Sequence, residues 1–455
     1  MMYRAINPST GEALKEYPLH GVAEVEGFLE ESFAAWQSWR GVQAEARARL
    51  LIRLAELLER DKNRLAQLMC DEMGKVLREG VSEAEKCAKV CRYYAENGAA
   101  FLEPRSIQTE AAKSYVAYRP LGPVLAVMPW NFPFWQVFRF GAPALMAGNT
   151  ILLKHAENVP GCAEAIAALV EEAGFPDGVM QNLRISHEQA AKVIADSRVR
   201  GVTLTGSTKA GRTVAETAAR NLKKTVLELG GSDPYLILDD APLAQTVEAC
   251  VTSRLLNAGQ SCIAAKRFIV TGKIYDAFTE AFTKAMQAKV MGDPRNESTD
   301  FGPQARHDLR DALHAQVQEI IRKGAKVLLG CEMPAGAGAF YPASVLAEVK
   351  PGMPAFDEEL FGPVAAVIRA KDTEQAVQLA NQTSFGLGAA VFTADAAFGE
   401  KLAADGLHAG SCFVNDFVRS DPRLPFGGIR ESGYGRELSL WGIHEFVNVK
   451  TVYVK

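Results

Sequence analysis

Leucine recurs at helical spacing through residues 44–70, at Leu50, Leu51, Leu54, Leu57, Leu58, Leu65 and Leu68, with Arg, Glu and Lys between them. One apolar stripe on an otherwise charged surface predicts an amphipathic helix packed as scaffold onto something larger. From about residue 120 the texture changes. Short apolar runs predict strands at 123–128, 150–153, 201–205 and 225–229, and the stretches 160–173 and 208–220 carry helical spacing. This alternation predicts βαβ units, a parallel sheet with helices on both faces. A second alternating region begins at Pro234, with strands expected at 235–238, 267–270, 326–329, 364–368 and 389–392. Two successive α/β domains are the economical reading. Segments 113–118 and 447–454 mix β-branched and aromatic residues with polar ones and predict antiparallel strands outside the main sheets. Edges of this kind are what a partner subunit covers.

Length supports the division, since a chain of 455 residues exceeds what one core usually organises. Charge narrows the function. The 50 basic and 54 acidic residues are interspersed and leave a net charge of −4, which gives no footprint for nucleic acid or an anionic membrane. The first eight residues lack the apolar core of a secretory signal, and the most apolar stretches meet Pro, Gly or Arg before reaching spanning length, so a cytoplasmic enzyme is expected. The eight cysteines form neither a disulfide framework nor paired Cys-x-x-Cys ligands; Cys87 and Cys91 share a helix without a His pair, and no metal site is assigned.

Candidate chemistry begins with two residues 34 positions apart, Cys262 in Asn257-Ala258-Gly259-Gln260-Ser261-Cys262 and Glu228 in Glu228-Leu229-Gly230-Gly231. A thiol on a Gly-containing loop can attack a carbonyl, and a carboxylate beside two glycines can activate water. The run Pro129-Trp130-Asn131-Phe132-Pro133 follows a predicted strand, and its two prolines hold Asn131 rigidly enough to donate to a developing oxyanion. An Asn that bonds only its own loop is the plainer alternative.

No Gly-x-Gly-x-x-Gly occurs, so a dinucleotide would need another cradle. Thr205-Gly206-Ser207-Thr208-Lys209-Ala210-Gly211 joins a predicted strand to a predicted helix, and the N–H groups of such a helix start can receive a pyrophosphate. An ordinary helix cap uses the same residues. Lys154 and Glu157 stand just past another strand end, where open α/β sheets gather ligands, and can bond ribose hydroxyls. A carboxylate there accepts from a free 2′-hydroxyl and repels a 2′-phosphate, which favours NAD, with NADP the alternative. A solvated charge pair is the other reading. Glu359 can bind a second ribose, and Phe361 and Phe426, each beside Gly, can wall a pocket or sit in the core.

Together these motifs resemble the aldehyde dehydrogenase superfamily, from Asn7-Pro8-Ser9-Thr10-Gly11 to the carboxyl terminus and with the family's Glu-to-Cys spacing. The resemblance implies the aldehyde dehydrogenase fold: a Rossmann-like NAD-binding domain (1–101 and 121–232), an α/β catalytic domain (233–440), and a bridging β oligomerisation element (102–120 and 441–455) that builds a homodimer or homotetramer. It implies Cys262 as nucleophile, Asn131 and the Cys262 N–H as oxyanion hole, and Glu228 as the base that hydrolyses a thioester after hydride has passed to a nicotinamide. It places Trp130, Lys154, Glu157, Gly206, Ser207, Gly211, Leu229, Glu359 and Phe361 at the cofactor.

The substrate is read from finer features. Arg139, eight residues past Asn131, matches an Arg that in many succinate-semialdehyde dehydrogenases holds the distal carboxylate, and a guanidinium fork suits that task. It can equally pair with a local acid. Lys154-His155-Ala156, with His for the commoner Pro, and Glu228-Leu229-Gly230-Gly231-Ser232-Asp233-Pro234 resemble one bacterial branch of those enzymes. One departure stands out. Six residues before Cys262, where the animal enzymes carry a second carboxylate-binding Arg, this chain has Leu256, which leaves Arg139 with Arg419, Ser420 or Arg423. Trp135 and Phe426 complete the expected substrate contacts. The alternatives are another semialdehyde, a broad aliphatic or aromatic aldehyde range in a pocket of Phe132, Phe134, Trp135 and Phe138, and a non-catalytic binding protein on the same fold.

Overall fold

The computed structural model describes residues 2–455. The leucine stripe folds as the helix Ala44–Met73, which buries Leu51, Leu54, Leu58 and Leu65 completely. It stops at Gly74, whose left-handed φ of 76° and approach to Pro303, 2.6 Å from where a Cβ would sit, admit no side chain. An antiparallel partner, Leu77–Phe101, lies against it.

Two large sheets carry the rest. The first runs in the order Gly433–Tyr434, Lys224–Glu228, Gly201–Thr205, Pro123–Val127, Thr150–Lys154, Met180–Asn182, and all its pairings are parallel except that of Gly433–Tyr434. Along its strands Val124, Ala126, Ile151 and Leu153 join the core against the long helices, while Leu125, Leu152 and Val202 join a second core on the opposite face. Successive strand residues point to opposite faces, so a continuously apolar strand serves two cores. The strand Gly433–Tyr434 comes from the range expected in the catalytic domain, so the chain returns late to this sheet.

The second sheet runs Lys326–Leu329, Ser344–Ala347, Val364–Ala370, Ala265–Thr271, Asp233–Ile237, Gly388–Phe392, Ser411–Val414, with an antiparallel edge at Lys326–Leu329. The same alternation recurs, Tyr235 and Ile237 to one core and Leu236 and Leu238 to the other. A third sheet stands apart: Val447–Val454 pairs antiparallel with Lys113–Pro120 from Val447 opposite Pro120 to Val454 opposite Lys113, and Arg105–Ser106 lies on the far side. Val449, Tyr453 and Val454 are exposed along this ribbon. A hairpin of Met2–Ile6 and Ala13–Pro18, not anticipated from the sequence, adds a two-stranded sheet.

Candidate active site

The loop of residues 129–133 leaves the first sheet after Pro123–Val127 and enters the helix Trp135–Ala147. Glu83 caps that helix, one oxygen accepting from the N–H groups of Phe134 and Trp135, both at 2.9 Å, while the other pairs with the buried Lys75. His155 fixes the loop from the neighbouring strand end. Its Nδ1 accepts from the Ala156 N–H at 2.8 Å, so Nε2 carries the hydrogen and donates to the Pro133 carbonyl at 2.8 Å. Burial pushes its pKa down to about 4, keeping the ring neutral.

Asn131 is therefore held in one orientation. The Gln136 amide donates to its Oδ1 at 3.0 Å, and its own Nδ2 donates to the Gln260 carbonyl at 3.0 Å, leaving the second Nδ2 hydrogen for a ligand. From the segment that precedes the strand Ala265–Thr271 of the second sheet, Asn257 Nδ2 donates to the Asn131 carbonyl at 2.7 Å. Asn257, Ala258 and Gly259 have φ of 54°, 54° and 74°, three consecutive left-handed residues shortly before Cys262. Such strain persists only where surroundings over-determine it. Here a Cβ on residue 259 would fall 2.3 Å from the Gly362 carbonyl oxygen, and Lys266 Nζ donates to the carbonyls of Ser261 and Cys262 at 2.8 and 2.7 Å.

Cys262 is partly exposed and opens on a cavity of about 260 Å³. Burial pushes its thiol up to about 12, against the pull of the Arg139 and Lys266 cations, so the resting group is a neutral thiol. Around the cavity stand Trp130, Asn131, Gly206, Ser207, Leu229, Glu359 and Phe361, seven residues singled out from the sequence. Thr205, the first residue of the predicted cradle, lines it too, as do Gln136 and Leu309, which were not singled out. Trp130 and Phe361 meet edge to face with centroids 5.8 Å apart. Glu359 accepts from the Gly231 N–H at 3.1 Å and pairs with Lys266 at 3.1 Å. Ser207 caps the helix Thr208–Arg220 by accepting from the Ala210 N–H, and the Gly206 N–H donates to the Glu228 carbonyl at 3.0 Å. Gly211 is a close-approach residue: a Cβ there would sit 2.6 Å from Leu229.

Lys154 and Glu157 lie beyond the end of the strand Thr150–Lys154 in different surroundings. Lys154 is buried, donates to the His155 carbonyl at 3.3 Å and has its pKa lowered by burial, whereas the Glu157 side chain is exposed. A helix start, strand-end polar groups and a cavity walled by Trp130, Leu229 and Phe361 suit a dinucleotide, phosphates at the N–H donors and the flat ring against apolar walls.

Glu228 ends the strand Lys224–Glu228 and is buried, with neither carboxylate oxygen hydrogen-bonded among the described residues. Burial first, and the nearby Glu437 second, push its pKa well above the carboxylate range, with Arg139 and Arg436 opposing. Arg139 is buried and paired with Glu437; it also donates to Thr205 Oγ1 at 3.2 Å and lies 4.6 Å from the Phe426 ring. Of the two roles open to Arg139 in the sequence, the geometry places it with a local acid. Glu437 carries no motif that could have announced it. Trp135 and Ser420 come together elsewhere, at Lys86, which sequence reasoning also passed over.

The aldehyde dehydrogenase family profile matches residues 1–452. The chain is 47% identical over 449 residues to the NAD(P)+-linked succinate semialdehyde dehydrogenase Sad of Escherichia coli, covering 99% of this chain and 97% of that one. It is 46% identical to a probable NADP+-linked succinate-semialdehyde dehydrogenase of Synechocystis sp., over the full length of both. The crystal structure of succinic semialdehyde dehydrogenase from Streptococcus pyogenes with NADP+ superposes with a TM-score of 0.97 at 38% identity, covering 99% of each chain. With sequence, fold and the arrangement around Cys262 all in agreement, this chain belongs to the aldehyde dehydrogenase family.

Proposed function

We propose that the protein oxidises succinate semialdehyde to succinate with NAD(P)+, working through Cys262, Asn131 and Glu228. The observation that carries the chemistry is a partly exposed thiol and an amide with one free hydrogen on the wall of one cavity, with a buried carboxyl, unbonded among the described residues, tied to the thiol through Arg139, whose charge acts on both. Cys262 Sγ, once its proton has left to solvent, bonds to the aldehyde carbon, and the oxyanion accepts from Asn131 Nδ2 and the Cys262 N–H. NAD(P)+, when bound, supplies the hydride acceptor that converts this adduct into a thioester. Glu228, in its ionised form, takes a proton from water, which adds to the thioester carbon; the carbon–sulfur bond breaks and the acid leaves. A carboxylate raised by burial is a stronger base once ionised, which suits this last step.

Gly206 and Ser207 would hold the pyrophosphate, Lys154 and Glu157 the adenosine ribose, Glu359 the nicotinamide ribose. The exposed Glu157 carboxylate favours a free 2′-hydroxyl, so we infer a preference for NAD over NADP. The cofactor-binding unit (1–101 and 121–232), the catalytic unit (233–440) and the bridging ribbon are taken as the functional division. The ribbon's exposed apolar residues support a homodimer or homotetramer.

The substrate is the names of the relatives carried to this chain, and the test is NADH formation from succinate semialdehyde against uncharged butanal. A kcat/KM at least tenfold higher for the semialdehyde is expected from one charge-assisted contact at roughly 1.5–3 kcal/mol; equal values would overturn the assignment. The commitment of Arg139 to Glu437 favours the second reading, a broader aldehyde range, in which butanal and aromatic aldehydes compete equally.

A further inference from the structure

Recognition of a distal carboxylate needs a cation that the protein has not already neutralised. Arg139 is paired with Glu437, Arg419 with Asp416 at 2.7 Å, and Arg423 with Asp421 at 2.8 Å. Leu256 supplies none. Lys86, on the helix Leu77–Phe101, differs from all of these. Its ammonium donates to Ser420 Oγ at 2.7 Å and lies 4.2 Å from the centroid of the Trp135 ring, a hydroxyl and an aromatic face instead of a carboxylate. The acids nearest in its field are engaged elsewhere, Glu83 with Lys75 and two helix N–H groups, Asp421 with Arg423.

The location joins this cation to the reacting centre. Trp135 and Arg139 are four residues apart on one helix and share a face. Arg139 touches the Phe426 ring, and its charge acts on Cys262, Glu228 and Lys86 alike. Phe426 and Ser420 belong to the stretch that follows the strand Ser411–Val414. Lys86, Ser420 and Trp135 are thus linked, through the helix Trp135–Ala147 and the Phe426 segment, to Arg139, whose charge acts on the thiol.

We infer that Lys86, with Ser420, is the specificity-determining pair that binds the distal carboxylate of the substrate, in place of the second arginine that Leu256 replaces. The inference rests on the succinate semialdehyde reading above and names the group that would enforce it. Ser420 orients the ammonium and can donate its own hydrogen to the second carboxylate oxygen. Trp135 covers the site and strengthens the contact by excluding water.

The position also dictates a pH signature. Burial, with the Arg139 charge adding to it, pushes the Lys86 pKa down to about 8, while Cys87, Glu83 and Asp421 pull the other way. The substrate carboxylate stays ionised throughout the neutral range, so its binding weakens as Lys86 loses its proton above that value. Butanal has no carboxylate and cancels every pH effect that arises at Cys262 or Glu228.

The experiment is the ratio of kcat/KM for succinate semialdehyde to that for butanal, from about pH 7 to about pH 9, in wild type, Lys86→Met and Lys86→Arg. Wild type is expected to prefer the semialdehyde and to lose preference as pH rises. Lys86→Met lowers the ratio roughly ten- to a hundredfold and flattens its pH dependence, through KM for the semialdehyde. Lys86→Arg restores preference and holds it across the range, because a guanidinium does not titrate there. If wild type prefers the semialdehyde but Lys86→Met leaves the ratio within about twofold, Lys86 is not the carboxylate site and the substrate reading survives. If wild type shows no preference, both fall. Should Lys86→Met fail to fold, a wild-type ratio that is flat with pH overturns the proposal.

Discussion

The two sides of the Cys262 thiol are built on different electrostatic terms. Toward the cavity on which Cys262 opens, the protein offers a helix start at Ser207 and apolar walls from Trp130, Leu229 and Phe361, with the exposed Glu157 carboxylate beyond a neighbouring strand end. Away from it, ionisable groups are packed into the protein: Arg139 against Glu437, the Glu228 carboxyl with no hydrogen-bond partner among the described residues, Lys86 against a hydroxyl and a ring. Dipoles near solvent bind an anion with little change in anyone's protonation, whereas buried charges shift one another's pKa by whole units. The difference teaches where pH control resides. Cofactor binding should be nearly indifferent to pH around neutrality, and the chemical steps should not.

The strongest way to break this contrast is at Glu228. Glu228→Gln removes the base and is expected to cut steady-state turnover by about 10²–10⁴-fold, the usual share of a general base. Because thioester formation does not need it, the variant should release a burst of one NADH per active site and then stall, as rapid-mixing absorbance would show. A slow linear trace without a burst would place Glu228 earlier in the reaction. The same variant reads stability. A carboxyl whose folded-state pKa is raised ionises first in the unfolded chain, so it withdraws stability as pH climbs above the ordinary carboxylate range. The melting temperature of Glu228→Gln should equal that of wild type near the unfolded carboxylate pKa and exceed it increasingly toward neutral pH.

Next in size is the oxyanion donor. Asn131→Ala is expected to lower kcat by about 10²–10³-fold, or ~2.7–4 kcal/mol. Gln136→Leu, which leaves Asn131 in place but frees its amide to rotate, should lose part of that amount with KM for NAD unchanged. The smallest effect belongs to the cofactor side. Glu157→Gln removes an exposed charge that at the proposed ribose site would face a 2′-phosphate, and should shift the NADP to NAD ratio of kcat/KM by roughly tenfold toward NADP, about 1.4 kcal/mol. The shift should be the same at every pH; one that varied with pH would sharpen the contrast into a single coupled network.

Much of this was legible in the chain. Strands such as Gly201–Thr205 and Ala265–Thr271 are continuously apolar because each serves two cores, and that signal survives without any structure. Cys262, Glu228 and Asn131 announce themselves because rigid prolines and paired glycines surround them locally. Lys266, Glu437 and Lys86 were silent for the opposite reason. Each has a side-chain partner brought near only by the fold: Glu359 for Lys266, an arginine 298 positions away for Glu437 and a serine 334 positions away for Lys86. His155 was visible as a departure from Pro, but its task, fixing the Pro133 carbonyl, required knowing which loop lies beside it.

The clamp between Asn257 and the Asn131 carbonyl has a consequence for how the molecule comes into being. Its partners lie 126 positions apart, on segments that belong to different sheets. Contacts of such separation close late in folding, after local helices and hairpins have formed. On dilution from denaturant, secondary structure should return first and enzymatic turnover last, with the interval between them reporting the docking of one half of the chain onto the other.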